Sequence, residues 1–130
     1  MSDARVYYNK LVRDNIPSKI ASKGELYEVR VIDDAQELQQ ELFKKVLEEA
    51  SALSVSRSKQ EFLEEYSDLV LVLETLISKL GISDAEVAQS REENMLKKGG
   101  YDSSYFLHWS ADSGYKSNET PQGILTKSLQ

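Results

Sequence analysis

Acids that stand on apolar helix stripes constrain this chain more than any other feature. Leu38, Leu42, Val46, Ala50 and Leu53 recur at three- and four-residue intervals, and Phe62, Leu69, Leu73, Leu76 and Leu80 follow at intervals of seven, four, three and four, with Val72 beside Leu73. That spacing is the 3.6-residue period of a helix with one buried face. On an ideal wheel Leu69 lies about 40° from Glu65 and Leu76 about 20°, with Val72 close on the other side. Glu65 therefore stands on the apolar stripe of its own helix, and Asp68 stands at the edge. Glu49 holds the same relation to Leu42, Val46 and Leu53, whereas Glu48 and Glu64 are displaced by about 100°. A bare carboxylate on a core-facing stripe is costly unless it is protonated, paired or bound to a cation.

Local signals divide the rest of the chain. A short helical segment is expected between Tyr7 and Ile20, with Asp14 as its start and Pro17 tolerated in its first turn. Lys23-Gly24 turns the chain, and Leu26-Tyr27-Glu28-Val29-Arg30-Val31-Ile32 alternates well enough to predict one short strand or extended segment. Three longer helices follow. The first begins near Asp34, and the second begins at the capping pattern Ser58-Lys59-Gln60-Glu61 and stops at Gly81. The third begins at Ser83-Asp84-Ala85-Glu86 and ends at Lys97-Lys98 before Gly99-Gly100. The expected fold class is all-α, a helical bundle with at most one short extended segment. A domain over residues 1–109 is followed by a polar, flexible tail over residues 110–130.

Composition removes several classes of function. The chain has 130 residues and no cysteine, which excludes disulfides, zinc–thiolate sites and thiol catalysis. The formal net charge of −6 argues against a nucleic-acid partner, because such proteins carry a basic footprint. No apolar run approaches the roughly 20 residues that span a bilayer, and Met1 to Arg5 does not open a secretory signal. No membrane partner and a cytoplasmic location are the expectations. His108, the single histidine, has no nucleophile pattern near it and reads as structural or exposed.

Three inward carboxylates, Glu49, Glu65 and Asp68, suit Mg²⁺ or Mn²⁺, which take oxygen ligands in octahedral geometry. They are the residues expected to hold the metal and carry catalysis. Glu48, next to the first of them but pointing elsewhere on an ideal helix, is a weaker fourth ligand. Taken singly, each acid also reads as an ordinary solvated surface residue of a Glu-rich helix.

Tyr8-Asn9-Lys10-Leu11-Val12-Arg13-Asp14-Asn15-Ile16-Pro17 resembles the opening signature of small all-α nucleotide pyrophosphohydrolases, the MazG-like and phosphoribosyl-ATP-pyrophosphohydrolase-like group. Leu47-Glu48-Glu49-Ala50 and Glu64-Glu65-Tyr66-Ser67-Asp68-Leu69 resemble its ExxE and ExxD metal motifs. Lys98-Gly99-Gly100-Tyr101 resembles the segment after its last helix. The resemblance implies metal-dependent cleavage of a nucleoside triphosphate between its α and β phosphates, releasing a monophosphate and pyrophosphate. It also implies a role in clearing unwanted nucleotides, and a bundle completed by oligomerisation as a homodimer or homotetramer. One position departs from the pattern: Ala52 stands where the first motif places its second acid. That vacancy supports an alternative, a catalytically impaired relative that binds nucleotide or a protein partner. Lys10, Arg13, Lys97 and Lys98 are expected to contact the phosphates, since a triphosphate carries more charge than one divalent ion offsets.

Overall fold

The three long helices each begin where a side chain satisfies free amides of the first turn. A computed structural model describes residues 4–112, and among them the regular structure is four helices and no strand. The first, α1 (Ile16–Ser22), carries Pro17 in its first turn, where the missing N–H would be unpaired in any case. It starts two residues after the expected Asp14, and the residues between Tyr7 and Asp14 are irregular. Asn9, at φ 46°, lies in the left-handed region and interrupts any continuous helix there.

The expected strand does not form. Residues 25–34 are irregular, and Leu26 is 98% exposed. An alternating sequence offers only one side of a ladder, and no second strand is present among the described residues to complete it. Arg30 instead forms a two-pronged ion pair with Glu37 in the first turn of α2 (Ala35–Ser54). The Arg30 guanidinium holds the Glu37 carboxyl below its ordinary value.

Asp34 caps α2 by accepting from the Gln36 amide at 3.1 Å. Ser58 caps α3 (Lys59–Lys79) by accepting from the Glu61 amide at 3.1 Å, while Glu61 accepts from the Arg57 amide at 2.7 Å. Past α3, Gly81 adopts φ 70°, so its amide reaches Ser78 and the Ile82 amide reaches back to Ile77. This paired closure needs a left-handed residue, and glycine adopts one without steric cost. Ser83 and Glu86 bond each other's amides reciprocally ahead of α4 (Asp84–Lys98).

Helices α2 and α3 pack against each other across the short connection at residues 55–58. Leu42 on α2 and Leu76 on α3, each 4% exposed, are the buried apolar residues of the described chain. The chain divides into two units, Met1–Glu92 and Glu93–Gln130, with the boundary inside α4. Within the first unit the helical hairpin also leaves Phe43, Leu47, Phe62 and Leu63 exposed. In the second, α4 ends where the Gly99 amide bonds the Met95 carbonyl at 2.8 Å, and Phe106 meets the exposed His108 ring edge-on. Of the tail expected from residue 110, all beyond residue 112 lies outside the described residues. Among the described residues no helix is long and apolar enough to cross a membrane.

With so small a buried core, Leu76→Ala is expected to cost about 2–4 kcal/mol. Urea unfolding followed by far-ultraviolet circular dichroism measures this, against Gln40→Ala on an exposed position, expected to stay within about 0.5 kcal/mol.

Candidate metal site

The turn between α2 and α3 sets the register of the site. Glu49 precedes Val55 by six residues and Glu65 follows Ser58 by seven, so the two lie almost equally far from the turn. A one-residue mismatch is about 1.5 Å along a helix axis, which antiparallel packing absorbs. Asp68 follows Glu65 by three residues and shares its face. One carboxylate oxygen from each of Glu49, Glu65 and Asp68 lies within 4.8 Å of the others, and all three side chains are half-buried. The three acids placed inward from the helix wheel are thus brought together.

Glu48 points elsewhere. Its two oxygens accept from Lys10 and Lys45, each at 2.9 Å. Ala52, one turn beyond Glu49, is half-buried and offers no oxygen.

Cations gather around the acids. Arg13 pairs with Asp68 at 3.1 Å, and Lys10, whose ammonium sits 5.8 Å from the Tyr8 ring centre, pairs with Glu48. The irregular N-terminal segment therefore reaches both helices through Lys10 and Arg13, two of the four residues expected to contact phosphate. The other two, Lys97 and Lys98, are exposed in the last turn of α4, where cations complement the helix dipole. Lys45 was not expected at the site. Its side chain is only 12% exposed, and its ammonium lies 2.9 Å from Glu48 and 3.6 Å from Glu49. The signal that reveals it is helical spacing, since Lys45 precedes these acids by three and four residues.

The electrostatics separate Glu65 from its neighbours. Hydrogen bonds from Lys45 and then Lys10 hold the Glu48 carboxyl below its ordinary value, and the bond to Glu48 raises Lys10. Glu65 is pushed up, first by desolvation and then by the negative charges of Asp68, Glu49, Glu64 and Glu61. It has no ion pair among the described residues. A half-buried acid crowded by acids is where a divalent cation gains most, because it offsets several charges at once.

The donor set fits such an ion. Octahedral Mg²⁺–oxygen bonds of about 2.1 Å place ligand oxygens about 3.0–4.2 Å apart. At most one of the three oxygen pairs can be trans, so oxygens within 4.8 Å reach that shell by side-chain rotations that close up to about 2 Å. Comparison with family models, with curated proteins and with solved structures finds no match to this chain.

The raised Glu65 value carries a sign. Its contribution to stability is full below the ordinary value of 4.5 and is lost as pH rises through the higher folded value. Ionised Glu65 therefore opposes folding at neutral pH in metal-free protein. Glu65→Gln is expected to raise the melting temperature there, with the gain shrinking as pH falls through the raised folded value and gone below about 4.5. Thermal melts of both proteins in chelator across this range provide the check.

Proposed function

We propose that this chain hydrolyses nucleoside triphosphates between the α and β phosphates, yielding a monophosphate and pyrophosphate, with Mg²⁺ or Mn²⁺ held by Glu49, Glu65 and Asp68. The observation that carries this reading is the convergence of three half-buried carboxylates from two packed helices, one of them raised and without a cation partner. The resemblance of the 8–17 segment and of the two acidic motifs to MazG-like pyrophosphohydrolases supplies the reaction class. When bound, the metal supplies charge neutralisation at the phosphates and a more acidic bound water. The protein's own work is positioning. Glu49, Glu65 and Asp68 fix the ion on two rigid helices, and Lys10 and Arg13 stand at its edge, where charged phosphate oxygens would meet them.

In this reading the α2–α3 hairpin is half of a larger bundle, with a second copy covering exposed residues such as Phe43, Leu47, Phe62 and Leu63. Homodimer and homotetramer both satisfy that requirement. The setting that fits the proposed substrates is the cytoplasmic nucleotide pool, and the task is removal of unwanted triphosphates.

Ala52 favours a second reading, in which the site binds nucleotide or a protein partner with little turnover. A position one turn from Glu49 that lacks an oxygen leaves the ion fewer protein ligands.

Pyrophosphate release from a panel of normal and modified nucleoside triphosphates, with Mg²⁺ or Mn²⁺, separates the two. The expected result is turnover of at least one nucleotide, reduced at least about 100-fold by Glu65→Gln, together with loss of metal-induced thermal stabilisation in that variant. A folded protein that releases no pyrophosphate from any nucleotide, yet binds one by calorimetry, establishes the second reading.

A further inference from the structure

In this conformation the acids proposed as ligands are already partly occupied by cations of the chain itself. Arg13 bonds Asp68 at 3.1 Å, Lys45 lies 3.6 Å from Glu49, and Lys10 and Lys45 share Glu48. These cations are not equivalent. Lys45 projects from the middle of α2 and is largely buried, so it stays with the helix that carries Glu49. Arg13 and Lys10 lie on an irregular segment ahead of α1, and their side chains are exposed. An exposed ion pair is worth no more than about 1 kcal/mol, so the Arg13–Asp68 bond can be exchanged for a better one.

The geometry points to Arg13 as a residue that holds Asp68 against a lone divalent ion and releases it to a phosphate chain, so that the site favours a metal–polyphosphate complex over the free metal. The argument is one of charge and valence. An incoming ion competes with the guanidinium for the Asp68 oxygen and meets its positive charge nearby. A polyphosphate that arrives with the ion gives the guanidinium a planar pair of anionic oxygens, which it binds at least as well as a carboxylate. Arg13 then keeps a partner and Asp68 is freed for the metal. Because binding free energies are reciprocal, what weakens the lone ion and strengthens the complex appears as positive coupling between metal and phosphate. This rests on the reading of Glu49, Glu65 and Asp68 as metal ligands.

Mn²⁺ binding to the whole chain, measured from the paramagnetic resonance signal of the free ion, tests the proposal without turnover. Arg13→Ala is expected to bind Mn²⁺ alone about two- to fivefold more tightly than the native chain. The same variant should bind the preformed Mn²⁺–tripolyphosphate complex more weakly by calorimetry, and Arg13→Lys should fall between the two proteins in both measurements. A purely structural role for Arg13 cannot produce a gain, because damage to the fold weakens both ligands. Unchanged or weaker binding of Mn²⁺ alone by Arg13→Ala overturns the proposal while leaving the metal site standing. Tighter binding of both ligands overturns the phosphate half of it. If neither protein binds Mn²⁺, the metal reading itself falls and this inference falls with it.

Discussion

The packing of α2 against α3 across a four-residue connection is the constraint on which the rest of the structure depends. It buries Leu42 and Leu76, and it also forces Glu49 beside Glu65 and Asp68. The same register therefore serves stability and opposes it. Apolar burial favours closing the hairpin, while three carboxylates brought within one small volume resist it. The raised Glu65 value is the local record of that opposition.

The chain answers most of this crowding with its own cations. Lys45 is placed by helical spacing and shares two acids, so it costs no additional ordering of backbone. Lys10 and Arg13 come from outside the hairpin, and their ion pairs tie an irregular segment to both helices. Neutralisation is uneven, since Glu48 has two lysines and Glu65 has none among the described residues. The uneven distribution is what makes the site a candidate for an ion from solution, where a uniformly paired cluster would read as a surface network. In the proposed reading, Arg13 is the point at which metal and phosphate chemistry would meet.

Much of the fold was legible in the sequence because helix signals are local. Asp34, Ser58 and Ser83 cap the helices that periodicity predicts, and Gly81 and Gly99 close two of them. The inward placement of Glu49, Glu65 and Asp68 was legible for the same reason, since a wheel fixes which residues share a face. Of the strand or extended segment expected at residues 26–32, the strand does not form, because alternation specifies one edge only and pairing depends on a partner elsewhere in the chain. The start of α1 falls two residues after Asp14, with Asn15 at the cap position, a shift smaller than local spacing resolves. Lys45 stands at legible spacing from Glu48 and Glu49, but its burial beside them, which makes the pairing matter, follows from the packing of α2.

Sequence by itself determined the four helices, the capped starts of the three long ones, and the presence of three acids on apolar stripes, because each follows from interactions within a few residues along the chain. Tertiary structure alone decided that stripes on two different helices meet at one register, that Arg13 takes Asp68, and that Lys10 takes Glu48. Those outcomes depend on where a turn places one helix against the next and where an irregular segment lands. Such long-range closure has no period for a sequence to display.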